Sequence, residues 1–301
     1  MVVNVVDAEL PMMPRMLESV KWADEIVIVD MTTDGGEIEK IGKEFGAKVY
    51  KHKFVDYVEP VRNFSVSKVT STWILIIDPD EEIPVSLARK LKRIVKKPKA
   101  DYYRLPRKNI IFERWIEYSG WWPDYNIRFF KKGAVSWTET IHGVPITIGD
   151  GADLVAKESN AILHHNYQTI EQYLERMNRY TGRQAGNLMD GGYSFRWQDL
   201  IHKPVGEFVN RYFAGEGYKD GVHGLALAGL QSLSELVVFL KVWQRAKFTE
   251  DKLAVKMVMG EMKKAERELS YWQADSLVKN LPAGRQVERI MQRVKRKFKL
   301  R

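Results

Sequence analysis

Two acidic runs sit where chemistry would be placed by a chain that alternates strand and helix signals. Asp30 follows EIVIV (25–29) directly, and Asp78-Pro79-Asp80-Glu81 follows WILII (73–77) directly. Both apolar runs read as buried strands, and in an open parallel sheet ligands bind outside the carboxyl ends of the strands. Side chains alternate along an extended chain, so Asp78 and Asp80 are expected on one side and Pro79 on the other. Two carboxylates at such a mouth repel each other. A hard divalent cation between them and a phosphate makes them tolerable. A nucleoside diphosphate needs that cation because its leaving charge must be neutralised. The plainer alternative is a polar turn that opens a helix at Pro84.

The elements that must position these residues can be read from apolar spacing. Strands are expected at 2–6, 25–29, 47–51 and 73–77, and helices at 12–22, 36–45, 60–71 and 84–96. Gly46 stops the second helix, and Pro60 suits the first turn of the third. WILII is apolar on both faces, as a central parallel strand should be. This alternation implies an α/β fold with a mostly parallel sheet and flanking helices. Residues 100–150 are crowded with aromatics and read as short strands and loops. Residues 167–300 read as helical, with breaks near Gly191-Gly192 and Pro282-Ala283-Gly284. Neither GxGxxG nor GxxxxGK[ST] occurs, so neither a dinucleotide fingerprint nor a P-loop is supported.

The 301 residues are 45% apolar and 29% charged, with no cysteine and a net charge of +9. That is globular composition, without a disulfide framework, thiolate metal site or cysteine nucleophile. The N-terminal run lacks a basic region and meets Asp7 and Glu9 early, so a signal peptide is not expected. Residues 287–301 hold seven basic residues and one acidic, +6 of the total. A basic chain favours anionic partners: nucleic acid, phosphate-bearing ligands or an anionic membrane surface.

The run ESVKWADEIVIVDMTTD, followed by EPVRNFSVSKVTSTWILIIDPDEEIP, resembles the nucleotide-sugar half of inverting family 2 glycosyltransferases with the GT-A fold. The later runs GWWPDYNIRFFKKG, IHGVP and HHNYQTIEQYLERMNRYT are similar to a narrower branch, the lipopolysaccharide core β-1,4-glucosyltransferases. The resemblance covers roughly residues 1–248. It implies a GT-A catalytic domain over 1–166, divided into a nucleotide-sugar half (1–98) and an acceptor half (99–166), with a helical region over 167–301. It implies a nucleotide-sugar donor, a UDP-sugar above others, a glycan or glycolipid acceptor, and Mg²⁺ or Mn²⁺. Asp30, Thr33 and Asp34 would meet the nucleoside, Arg62 the nucleotide, Asp78 the ribose, and Asp80 the metal. The family's Asn-Glu-Glu after the first strand has no clean match here, which leaves Glu9 as a candidate.

Inverting transfer needs a general base for the acceptor hydroxyl. Asp124 and Glu139 are the candidates, with an Asx-turn or a plain surface carboxylate as the alternatives. His142 could complete the metal shell, Arg128 could bind phosphate or pair with Asp124, and Trp121 and Trp122 could stack on a sugar or fill a core. His164 and His165 are adjacent in a strand, face opposite ways and cannot chelate together.

Residues 222–243 have the length of a membrane span. Their polar residues, from His223 to Lys241, gather on about half the helical circumference and leucines fill the rest, which describes an amphipathic helix. With the basic tail, this favours peripheral attachment to an anionic membrane surface, on the cytoplasmic side of the cell membrane. Two other readings compete. A nucleotidyltransferase usually carries a Gly-rich basic first loop, which VVNVVDAEL lacks. A nucleic-acid-binding protein fits poorly, because the positive charge is confined to one terminus; nucleic acid is therefore not an expected partner.

Overall fold

The computed structural model of the chain describes residues 1–34, 36–55, 59–138, 145–250, 252–282 and 284–298. In chain order the first part gives β1 (Val2–Val5), α1 (Met13–Val20), β2 (Val27–Asp30), α2 (Gly36–Glu44), β3 (Lys48–Lys51), α3 (Glu59–Lys68), β4 (Trp73–Leu75), β5 (Glu81–Glu82) and α4 (Val85–Lys96). Then follow β6 (Tyr102–Ile111), β7 (Arg114–Trp115), β8 (Tyr125–Lys131), β9 (Val135–Ser136), β10 (Ile146–Thr147), β11 (Gly151–Asp153) and β12 (Ile162–Tyr167). The remainder is α5 (Ile170–Asp190), α6 (Asp199–Val209), α7 (Gly221–Arg245), α8 (Val255–Asn280) and α9 (Gln286–Phe298). The chain divides into two compact units, Met1–Ile110 with Trp122–Asn166, and Ile111–Trp121 with Tyr167–Arg301.

The first unit is an α/β unit built on a mixed sheet. β3, β2 and β1 are parallel neighbours, and a parallel bridge from Val2 to Ile76 carries the sheet on to β4. Beyond β4 the pairing changes. β8 runs antiparallel to β4, and β6 antiparallel to β8. From β3 to β4 the sheet is parallel, with helices crossing over between strands; β8 and β6 return antiparallel without a crossover helix, and β11 then pairs parallel to β6.

Strand alternation sorts the core into two layers. Val3, Val5, Ile28, Leu75 and Ile77 face Met13, Met16 and Leu17 of α1 and Leu87 and Leu91 of α4. Val2, Val27, Val29, Ile74 and Ile76 face Val61 of α3, with Phe130 and Trp137. Each large apolar side chain buried this way contributes about 1.5–3 kcal/mol.

The second unit is helical. Thr169 caps α5, accepting from Gln172 N at 3.2 Å, and Gly191 closes it. The expected breaks near 191 and 282 are present. Two more interrupt the chain, a π-turn at Asn210–Ala214 leading into a 3-10 turn at Gly217–Asp220, and the segment between α7 and α8. By length and composition alone, Gly217–Arg245 could cross a bilayer. Within the unit, α7 packs on α5 and α6. The face it buries is not the leucine face that the helical period suggests. Gly224, Leu227, Ala228, Val238, Phe239 and Val242 are buried, whereas Val222, Leu225, Leu233 and Leu240 are exposed. Polar side chains hold the inner side. Ser232 Oγ donates to Pro204 O at 2.7 Å, Ser234 Oγ meets Tyr173 Oη at 3.2 Å, and Lys241 Nζ donates to Asn178 Oδ1 at 2.7 Å.

Residues 111–121 belong to this unit because Asp220 binds them. Its carboxylate accepts from Glu117 N at 3.3 Å and Tyr118 N at 2.9 Å. Ile111 and Ile116 pack with Leu227, and Phe112, Trp121 and Tyr167 close around them.

Candidate active site

After β4 the chain turns. Glu81 N donates to Asp78 O at 3.0 Å, and Glu81 Oε2 accepts from Asp78 N at 2.9 Å. Alternation holds only for an extended backbone, so the expectation that Asp78 and Asp80 share a side by that rule fails here. Asp78 goes to guanidiniums instead. Its Oδ2 accepts from Arg128 Nη2, and its Oδ1 lies 3.9 Å from Arg62 Nη2. Asp80 goes to an imidazole, with Oδ1 3.5 Å from His164 Nε2.

These residues belong to one hydrogen-bonded network. Glu81 is fully buried, and its Oε1 accepts from Arg128 Nη2 at 2.8 Å and Arg107 Nη1 at 3.4 Å. Arg107 grips Asp124 Oδ2 through Nε at 2.9 Å and Nη2 at 2.8 Å. Asn109 Nδ2 donates to the same oxygen at 3.0 Å, while its Oδ1 meets His164 Nδ1 at 2.6 Å. Arg107 and Asn109 stand two apart on β6 and so share a face. His164 and His165 do face opposite ways, His165 turning to Glu82 at 2.7 Å.

Burial opposes the charge of Asp78, but the guanidiniums of Arg128, Arg62 and Arg107 outweigh it and hold the carboxyl far below the usual range. Burial likewise opposes the charge of Arg128, and Asp78, Glu81 and Asp80 raise it further above the usual arginine value. Buried charges persist only when paired in this way. Arg128 Nε and Nη1 find no hydrogen-bond partner among the described residues. Arg128 therefore pairs with Asp78 and Glu81, and it is Arg107 that pairs with Asp124.

At the end of β2, Asp30 is buried and accepts from Thr32 N at 2.8 Å and Thr32 Oγ1 at 2.6 Å. Thr33 N donates to Asp7 Oδ1 at 3.0 Å, and Asp34 Oδ1 accepts from Gly36 N at 3.0 Å at the start of α2. Glu9 Oε2 turns back to Val6 N at 3.1 Å, onto its own turn. Arg62 stands in the first turn of α3 and lies over the Trp137 ring at 5.5 Å. The neighbouring Asn63 pins Trp137 by two backbone bonds, 2.7 and 2.9 Å. Trp121 joins the small apolar cluster of the second unit, while Trp122 begins the return to the first. Glu139 and His142 lie outside the described residues.

Sequence reading missed Arg107, Asn109, Glu81 and His164 as members of the site. Glu81 stood inside a quoted motif, the i, i+2 spacing of Arg107 and Asn109 in a strand was the available signal for those two, and His164 carried none, since its partner Asn109 lies 55 residues away.

Among the described residues no group of three or more His, Asp and Glu is placed to hold a metal. The donor chemistry fits a divalent cation that receives its other oxygens from a ligand's phosphates, as Mg²⁺ commonly does. Asp80, nearly buried at the strand mouth, is the carboxylate that would hold it.

No protein-family model matches the chain. An uncharacterized glycosyltransferase of Rickettsia typhi is 27% identical over 242 residues, covering 73% of this chain and 82% of that one. Another, from Rickettsia felis, is 25% identical over 276 residues, covering 88% and 93%. The chain is similar to glycosyltransferases. A lipopolysaccharide core biosynthesis glycosyltransferase, LpsC of Rhizobium meliloti, is 20% identical to this glycosyltransferase-like chain over 258 residues, covering 77% and 87%. Among solved structures, S. aureus TarS aligns with a TM-score of 0.40 and 12% identity, covering 84% of this chain and 93% of that one.

Proposed function

We propose that the protein is a metal-dependent, inverting glycosyltransferase of the family 2 type. It moves a sugar from a nucleotide-sugar donor, a UDP-sugar above others, to a hydroxyl of a lipid-linked or cell-envelope glycan such as lipopolysaccharide core. The observation that carries this reading is the network joining the acidic turn after β4 to Asp124, in a chain similar over most of its length to proteins named glycosyltransferases. The name of the Rhizobium meliloti relative favours the acceptor class.

In this reading Asp30, with Thr33 and Asp34, meets the nucleoside, and Arg62 meets the diphosphate beside the N-terminus of α3. Asp78 orders Arg62 and Arg128 around that charge. Asp80 holds a divalent cation, which when bound neutralises charge on the leaving diphosphate. Asp124 is the general base. Its Oδ2 is taken by Arg107 and Asn109, while Oδ1 meets Asn126 Nδ2 at the longer distance of 3.3 Å and is the oxygen suited to take a proton. The acceptor oxygen bonds the anomeric carbon as the carbon–oxygen bond to the diphosphate breaks. The hydroxyl proton passes to Asp124, and the nucleoside diphosphate leaves with the electron pair. Attack from the face opposite the leaving group inverts the centre.

A panel of nucleotide-sugars, assayed with Mn²⁺ for diphosphate release and a raised melting temperature, tests this. One donor should stand out and yield an inverted product by NMR. Asp80→Ala should fold and lose transfer. Full turnover by folded Asp80→Ala, or by the natural sequence in excess chelator, removes the metal from the reading. A panel in which no nucleotide-sugar binds removes the reading itself.

A further inference from the structure

α9 is turned the opposite way from an ordinary amphipathic helix. Helices of globular proteins bury the apolar stripe and leave the charged face in water. Here Val287, Ile290, Met291 and Val294, spaced to form one stripe, are between 45% and 72% exposed. The polar side faces the protein. Arg296 Nη1 donates to Asp275 Oδ1 of α8 at 2.7 Å, and Arg289 Nη2 donates to Leu281 O at 2.6 Å. Asp275 is itself buried, so the helix is seated by specific bonds rather than left frayed. Arg293 and Lys297 are exposed toward one margin of the apolar stripe.

We infer that α9 is an interfacial helix that lies on an anionic lipid bilayer with its Val287–Val294 stripe in the acyl boundary. Charge complementarity selects this occupant. Of the basic residues in this helix, Arg293 and Lys297 are exposed beside the stripe, and basic side chains next to an apolar stripe can reach up to headgroup phosphates while the stripe sinks below them. A nucleic acid would satisfy the charge and leave the stripe in water. A second copy of the chain would cover the stripe and bring like charge against like. The inference does not depend on the sugar-transfer reading, because its readout is binding alone.

Sedimentation of the full chain with vesicles of phosphatidylcholine, with and without phosphatidylglycerol, decides it. Binding to the anionic vesicles should exceed binding to neutral ones by about tenfold at low salt. It should weaken as salt shortens the Debye length from about 10 Å at 0.1 M to about 3 Å at 1 M. The pair Ile290→Asp with Val294→Asp should lose binding at every salt concentration and keep its melting temperature, since both sites are exposed. The pair Arg293→Gln with Lys297→Gln should lose chiefly the salt-sensitive share. Unchanged binding by the double aspartate variant overturns the inference, as does failure to bind anionic vesicles at low salt. Ile290-dependent dimers by light scattering without vesicle binding would assign the stripe to a second copy instead.

Discussion

Arg128 is the residue on which the acidic turn depends. It is buried, and one of its nitrogens serves both Asp78 and Glu81. Removing it would leave two carboxylates without that cation in a poorly solvated place. Arg128→Met should cost about 3–5 kcal/mol, read from urea unfolding. The pH dependence should change with it. The carboxyl of Asp78 is held below its unfolded value, so its stabilisation is complete above that value and is lost as pH falls toward the native one. In Arg128→Met much of that acid dependence should disappear. Asp124→Asn should instead leave stability nearly intact and lower turnover by roughly two to four orders of magnitude, with donor affinity spared. Wild-type turnover in that variant would move the base to another carboxylate. The acidic residues were legible from their place after apolar runs. Their directions were not, because a hydrogen-bonded turn replaced the extended backbone that alternation assumes. Nor was the role of His164 legible, since its partner Asn109 lies 55 residues away in the chain.

At the scale of elements, the start of α7 is a close fit in the helical unit. A Cβ on Gly224 would stand 1.8 Å from Gly217 O. Gly224→Ala must therefore push the 3-10 turn away from the helix and disturb Asp220, which holds residues 111–121. We expect a loss of about 3 kcal/mol by thermal or chemical unfolding, with α7 still helical by circular dichroism. Retained wild-type stability would mean that the turn moves without cost. The helical character of residues 222–243 was plain from sequence. Which face it buries was not, because Val238, Phe239 and Val242 turn inward with Ser232 and Lys241, which bond to α6 and α5, while Leu225, Leu233 and Leu240 stay exposed. The strands and helices of residues 1–98 were the most legible part, since period 2 and period 3.6 are both clean there and prolines open two of the helices.

Across the whole molecule, acid sensitivity has an identifiable source outside the candidate site. Glu25 receives Lys48 Nζ at 2.9 Å, Thr70 N at 2.9 Å and Ser71 N at 3.1 Å, tying the strand ends of the first unit together. Burial resists its charge, but these bonds outweigh it and hold the carboxyl at about 2, against 4.5 in the unfolded chain. Its stabilisation is complete above the higher value and is lost as pH falls from about 4.5 to about 2. Glu25→Gln should flatten the melting-temperature profile across that window. Near neutrality it should cost about 1–2 kcal/mol, a figure reduced by solvent screening near the surface. An unaltered acid slope would show that other carboxylates dominate. The α/β-then-helical order was readable from the chain. The assignment of residues 111–121 to the helical unit was not, because the carboxylate that claims them is 102 residues downstream of Tyr118. That separation matters during synthesis. At about 5–20 residues per second, roughly 5–20 s pass between the ribosome making Tyr118 and making Asp220. For that interval the nascent chain carries Ile111 and Ile116 without Leu227 and two backbone amides without their acceptor. The segment is thus a timed vulnerability, a stretch whose apolar side chains stay uncovered until the helical half emerges.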